Sequence, residues 1–225
     1  MTHSQQHIIG LVFYPGMTAL DIVGPQTVLS ALPNVQIHRL WKTLDPIKTD
    51  DGMIITPDTT FENCPTLDVI CVGGGLKQAE IVDDPEILEF LRLQGRTAKF
   101  ITSVCGGSEF LAKAGLLDGY RAATHWAARQ KLAELGVEVG TERVVIDRDR
   151  ISGGGVTAGI DFGLVLAETL YGEEVAKLVQ LMIEYNPAPP FNAGSPETAG
   201  PELVQKAIAA VTASMGVEKM QVAKG

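Results

Sequence analysis

The residue best placed to do chemistry is Cys105, in the stretch "AKFITSVCGGSEFLAKAG" that begins at Ala98. An apolar run stops at the cysteine, two glycines follow, and apolar residues resume at helical spacing. That order predicts a strand, a sharp turn and a helix, with the thiol presented at the bend as in a nucleophile elbow. Gly106 and Gly107 have no Cβ, so the backbone can bend tightly there and approach a ligand closely. The dipole of a helix starting within a few residues favours thiolate over thiol. The other cysteines read differently. Cys71 lies inside the apolar "VICV" as a core hydrophobe, and Cys64 precedes a proline with nothing nearby to activate it. Burial as an inert free thiol is the competing account of Cys105, and its context argues against that.

Asp21 sits in the mostly apolar "TALDIVGP". An acid in such a setting must be paired, hydrogen-bonded or protonated. It is a candidate proton donor and acceptor facing the thiol; the alternative is an N-cap for the coming helix. The glycines of "VGGG" can expose successive backbone N–H groups to developing negative charge, though three glycines also simply make a tight turn. Gly74, Gly75 and Gly106 are the candidate backbone donors to substrate or oxyanion. His125, in "AATHWAAR", is the histidine that could partner the cysteine, but a histidine beside Trp126 at an element boundary is also a common structural hydrogen-bonding residue. "ISGGGVTAGIDF" is a glycine-rich lead-in to a helix near Val156. His125, Trp126 and Val156 are candidates for the pocket wall or the layer behind it. No metal-ligand spacing appears.

The elements that must position these residues follow from pattern. "HIIGLVFYPG" and "LDVICVGGG" are near-continuous apolar runs, expected of strands buried on both faces. "VQIHRLWK" and "AKFITSV" add two more strands, and "GMIITPDTTF" is expected to form a short hairpin arm. After the first strand, "MTALDIVGPQTVLSAL" has helical spacing, with either an irregular first turn or a helix that begins at Pro25. Asp84 and Pro85 mark the start of a helix over "DDPEILEFLRLQGR". Gly172 divides the long apolar segment that follows "ISGGG", and "VEVGTERVVIDRDRISGGG" reads as strands turning at the Asp147–Arg150 tip. Strands alternating with helices predict one α/β domain over residues 1–225, a flavodoxin-like three-layer sandwich around a mostly parallel sheet. A Pro-rich extended segment, 186–201, and a C-terminal helix complete it. Asp21, the glycine run and Cys105 then all fall at the carboxyl ends of strands, where such sheets bind ligands.

Composition limits the partners. The chain has 225 residues, 45% hydrophobic and 20% charged, enough to bury a core without disulfides. A net charge of −9 with no dense basic cluster argues against nucleic acid. No apolar stretch approaches a membrane span and the N-terminus lacks a signal-peptide pattern, so a cytoplasmic protein is expected. Three widely spaced cysteines suit a reducing compartment.

Four segments, "FYPGMTALDIVGP", "LDVICVGGG", "ITSVCGGSEFLAKAGLLDGYRAATHW" and "ISGGGVTAGIDFGL", resemble the ThiJ/PfpI superfamily in order and spacing, over nearly the whole chain. "QLMIEYNPAPPFNAGSPETA" is similar to its isocyanide hydratase branch. The resemblance implies a class I glutamine amidotransferase-like fold, a homodimer, and a cofactor-independent hydro-lyase that converts an isocyanide to its N-substituted formamide. It assigns Cys105 the attack on the isocyanide carbon, forming a covalent thioimidate, and Asp21 the proton transfers. The cysteine elbow and "THW" also occur in ligand-binding halves of AraC-type regulators, so a ligand- or redox-sensing module is the competing class, followed by glyoxalase or amidase activity. One position departs from the pattern: related hydratases have "CTGS" where this chain has "CGGS", with Gly106 in place of the threonine.

Overall fold

The computed structural model describes residues 6–222, with side chains described as far as residue 213. In chain order the first half contains β1 (His7–Val12), α1 (Ala19–Leu29), β2 (Val35–Trp41), β3 (Ile47–Lys48), β4 (Ile54–Ile55), β5 (Thr59–Thr60), β6 (Val69–Val72), α2 (Pro85–Gly95) and β7 (Phe100–Val104). The second half contains α3 (Gly107–Lys113), β8 (Arg121–Ala122), α4 (Arg129–Glu134), β9 (Glu138–Val139), β10 (Val144–Asp147), β11 (Arg150–Gly153), α5 (Ala158–Tyr171), α6 (Glu173–Met182), α7 (Pro196–Ala199) and α8 (Pro201–Val222).

The seven-stranded sheet has the order β10-β11-β7-β6-β1-β2-β5. Every neighbouring pair is parallel except β10–β11, the antiparallel hairpin at the Asp147–Arg150 tip. Counted in chain order, β2-β1-β6-β7-β11 is the 2-1-3-4-5 order of flavodoxin-like sheets, whose direction of winding reverses between β1 and β6. Helices lie on both sides, so β6 is wholly buried and reads as an unbroken apolar run. The expected hairpin arm is offset from its sequence pattern. β3 pairs antiparallel with β4, while Thr59–Thr60 joins the main sheet beside β2.

The helix boundaries follow local chemistry. Asp84 caps α2 by accepting from the N–H groups of Glu86 and Ile87, with Pro85 at the first helical position. Gly172, at φ 88°, separates α5 from α6. Of the two readings of α1, the structure takes the one in which the helix begins before Pro25. It runs through Pro25 from Ala19, and Asp21 lies in its first turn. Pro25 has no N–H to return to the carbonyl of Asp21, and its ring is accommodated because α5 presents Gly159. A Cβ on that glycine would lie 2.9 Å from Pro25 Cδ.

The chain forms two compact units, one ending at Tyr185 and the other beginning at Asn186. In the second, residues 186–195 carry no helix or strand, and the extended segment expected to reach 201 gives way to α7. A reciprocal capping box between Ser195 and Thr198 starts that turn, and Pro201 opens α8. No helix of the described residues is long and apolar enough to cross a membrane.

Candidate active site

The site lies at the carboxyl ends of β1, β6 and β7, on the reversal point of the sheet. Cys105 leaves β7 with φ 57°, one of four non-glycine residues in the left-handed region among those described. That conformation costs a side-chain-bearing residue about 1–2 kcal/mol, and three contacts hold it. The Cys105 N–H donates to Gly153 O at the end of β11 (3.0 Å), Thr124 Oγ1 donates to Cys105 O (2.8 Å), and Gly107 sits where a Cβ would lie 1.9 Å from Val72 O. Behind the elbow, Ser103 Oγ meets Ser108 Oγ at 2.8 Å and Ser108 Oγ donates to Ala123 O at 2.6 Å, joining strand, helix and the β8 segment. The strand-turn-helix expectation thus acquires its cause. Only a tight left-handed turn lets α3 start against the glycine loop of β6.

Asp21 is fully buried. It does not cap α1: Thr18 holds the N-cap position, and its hydroxyl donates to Asp50 Oδ2 at 2.6 Å. Asp21 Oδ2 accepts the Gly74 N–H at 2.7 Å. Its Oδ1 is buried and makes no hydrogen bond among the described residues, and the Cys105 thiol lies near enough for each group to act on the other's titration. Burial pushes the Asp21 pKa up to about 7, against the Gly74 N–H and the thiol, which favour the carboxylate; the charge of Asp50 pushes it further up. The thiol of Cys105, 8% exposed, is also raised well above its ordinary value. Burial leads, followed by the negative charge of Asp21, and the Gly106 N–H pulls the other way. This reverses the expectation of a thiolate favoured by the α3 dipole: desolvation and a facing carboxylate outweigh it. At rest the thiol is neutral and faces a carboxyl whose pKa lies near neutrality.

The DJ-1/PfpI family profile matches residues 7–169. The chain belongs to the DJ-1/PfpI family. It is 49% identical to the isonitrile hydratase of Pseudomonas putida over 88% of this chain and 87% of that protein. It is 32% identical to the HTH-type transcriptional regulator GbdR of Pseudomonas aeruginosa, over 79% of this chain but only 50% of the regulator. Among solved structures, a THiJ/PfpI family protein from Pseudomonas syringae superposes with a TM-score of 0.89 at 44% identity, covering 93% of this chain and 87% of the other.

Within this DJ-1/PfpI frame the three candidate backbone donors have distinct situations. The Gly74 N–H is directed at Asp21, so it orients the acid. The Gly75 N–H donates to Gln78 Oε1 at 3.3 Å, and the Gly106 N–H lies beside the Cys105 thiol and acts to lower its pKa. All three glycines are sites of close approach. A Cβ on Gly74 would lie 2.4 Å from Gly106 N, one on Gly75 2.5 Å from Gly16 O, and one on Gly106 2.0 Å from Gln78 Oε1. The last contact gives the departure at Gly106 a physical reason. The Gln78 carboxamide occupies the space that a side chain there would need. Its Nε2 donates to Glu109 Oε2 at 2.6 Å, and Glu109, itself buried, is ion-paired with Lys131 at 2.7 Å.

His125 is not joined to Cys105 by any described hydrogen bond. Its Nδ1 accepts the Ala127 N–H at 3.3 Å, starting the turn of Trp126–Ala128, and burial together with Arg129 lowers its pKa. Trp126 packs against it at a tilt, with ring centroids 5.3 Å apart. Val156 is half-buried against the core, in the turn before α5. Cys64 and Cys71 are inert as expected, their thiols pushed by burial up to about 12. Among the described residues no group of three His, Cys, Asp or Glu could hold a metal ion. Sequence reasoning passed over Tyr14, Asp50 and Gln78. Tyr14 ends an apolar run and reads as core; Asp50 lies in a loop and Gln78 opens a single 3-10 turn (Gln78–Glu80), neither with a motif, and only the fold brings them to the elbow.

Proposed function

We propose that this protein is an isocyanide hydratase, with Cys105 as nucleophile and Asp21 as the acid–base group. The observation that carries the reading is the Cys105–Asp21 pair: a cysteine elbow in the left-handed region whose thiol faces a fully buried carboxyl held by the Gly74 N–H, with the pKa of that carboxyl pushed up to about 7 by burial. The 49% identity to an isonitrile hydratase across most of both chains supports it. In the first step the sulfur bonds to the terminal carbon of R–N≡C while the thiol proton passes through Asp21 to the adduct, leaving the thioimidate Cys105–S–CH=N–R. In the second, water adds to that carbon as Asp21 takes one of its protons and passes it to the nitrogen, giving Cys105–S–CH(OH)–NH–R. The C–S bond then breaks as the hydroxyl proton passes through Asp21 to sulfur, which restores the thiol, and HC(=O)–NH–R departs. The net change is the addition of one water to the isocyanide. A carboxyl near neutrality suits both halves, because it must be a base toward thiol and water and an acid toward the adduct.

Purified protein is expected to convert an aromatic isocyanide to its formamide, followed by NMR, and Cys105→Ala to lose at least about 10³-fold in rate. A wild-type protein that yields no formamide over hours overturns the reading. The redox-sensor alternative has less support, since peroxide sensing relies on an exposed, low-pKa thiolate, and Cys105 is buried with a raised pKa.

A further inference from the structure

The peptide between Gly73 and Gly74 is held at both ends by groups of the site. Its carbonyl, Gly73 O, accepts the hydroxyl of Tyr14 at 3.0 Å. Its amide, Gly74 N–H, donates to Asp21 Oδ2 at 2.7 Å. From these two bonds we infer that Tyr14 is a positioning residue for the Cys105–Asp21 pair, acting on the carboxyl through the Gly73–Gly74 peptide. The inference rests on the assignment of those two residues as the reacting pair.

A peptide is a single planar dipole, so a donor on its carbonyl polarises its N–H and strengthens the bond that N–H makes. The chain of contacts is therefore Tyr14 O–H to Gly73 C=O, then Gly74 N–H to the Asp21 carboxylate. It also fixes the plane of a peptide made only of glycines, which otherwise has wide conformational freedom. Tyr14 suits the task because its packing leaves the ring one place to sit. Its ring is fully buried and packs at a tilt on Phe110 of α3, with centroids 5.1 Å apart. A phenylalanine in its place would fill the same core and lack one oxygen. Burial, Asp21 and Cys105 together hold the phenol well above its ordinary pKa, so it stays a donor throughout the range in which Asp21 titrates.

The titratable groups that act on Asp21 or Tyr14 are Cys105 on the elbow, Asp50 in the β3–β4 loop, Cys71 on β6 and Glu109 on α3. None of them is altered by a change confined to the phenol oxygen. Losing the Tyr14 hydroxyl weakens the Gly74 N–H bond to the carboxylate and should move the Asp21 titration upward. Strengthening the hydroxyl as a donor should move it downward.

The test is an infrared titration of the protonated-carboxyl band of Asp21 in the whole protein without substrate, with Asp21→Asn identifying the band. The wild-type midpoint is expected near 7. In Tyr14→Phe it should rise by about half to one pH unit. With 3-fluorotyrosine at position 14, a stronger donor of nearly the same shape, it should fall. A midpoint that is unchanged or moves the other way in either protein overturns the inference. If Tyr14→Phe does not fold, the fluorotyrosine protein decides alone. Because the band is read without turnover, a protein that makes no formamide yet shows both shifts would overturn the hydratase reading and leave the role of Tyr14 intact.

Discussion

At Gly74 a Cβ would fall 2.4 Å from Gly106 N and 2.8 Å from Gly106 Cα, whereas at Gly154 the nearest atom to such a Cβ, Arg143 O, is 3.5 Å away. These two glycines belong to runs that look alike in sequence, "VGGG" at the end of β6 and "SGGG" at the end of β11. In the first, Gly73, Gly74 and Gly75 all meet neighbours at 2.9 Å or less; in the second, Gly153, Gly154 and Gly155 meet nothing closer than 3.3 Å. The β6 run is packed against the elbow and α1, so its glycines are a steric requirement of bringing Asp21, the loop and Cys105 together. The β11 run is looser: Gly153 is close to Phe162 at 3.3 Å, while Gly154 and Gly155 would meet their neighbours only at ordinary contact distance. Identical composition thus marks a jammed junction in one place and a permissive turn in another, and only the neighbours distinguish them.

Gly74→Ala is the hardest test of the jammed junction. None of the β6-run glycines has a positive φ, so the cost would come from contact alone, and the contacted atoms are backbone. Either the loop or the elbow must shift, and both carry the site: one holds the amide that orients Asp21, the other the thiol. Overpacking of this kind costs about 1–3 kcal/mol, or several degrees of melting temperature in a chain of this size. Displacing the pair should reduce turnover by about 10²-fold or more. Calorimetry with a formamide assay checks both. An alanine protein with wild-type melting and rate would show the junction to be looser than its distances imply.

Gly106→Thr comes next, because the atom in its way is the far end of a side chain. Introducing the threonine of the hydratase pattern is not a neutral restoration here. Gln78 must swing aside, breaking its bonds to the Gly75 N–H and Glu109. Each lost bond is worth about 1 kcal/mol, so the single variant should be destabilised by about 1–2 kcal/mol. Gln78→Ala in the same chain should remove most of that penalty. Denaturant melts of the four proteins in this cycle are expected to show a coupling of about 1 kcal/mol or more. Additive effects would mean that the two positions do not share the space.

How much of this was legible beforehand depended on whether the cause was local. The elbow, the Asp84–Pro85 helix start, the break at Gly172 and the strand-helix alternation are written in short-range pattern, and all appear in the structure. The choice between the two starts of α1 was not legible, since Pro25 is tolerated through Gly159, more than 130 residues away. The thiol pKa followed the same rule. The helix that lowers it is visible in the sequence, while the burial and the facing carboxylate that raise it exist only after folding. Gly74 reads as a free backbone donor until α1 brings Asp21 to it, and Gln78 has no signal at all until Gly106 leaves it room.

Gly154→Ala should have the smallest effect, and in the opposite direction. Its Cβ would meet Arg143 O, Glu142 O and Thr124 O at 3.5–3.8 Å, ordinary contact distances, and its φ is not in the left-handed region. The Gly154 N–H donates to Arg143 O at 2.9 Å, a bond that alanine keeps. What changes is the unfolded chain, which loses freedom, so the variant should gain about 0.4–1 kcal/mol with turnover within about two-fold of wild type, since the elbow contact it neighbours is made by Gly153 O. A denaturant melt and a rate measurement are enough to check it. A large loss of rate without a loss of stability would assign this turn a motion during the reaction, and the contrast between the two glycine runs would then be one between a fixed junction and a moving part.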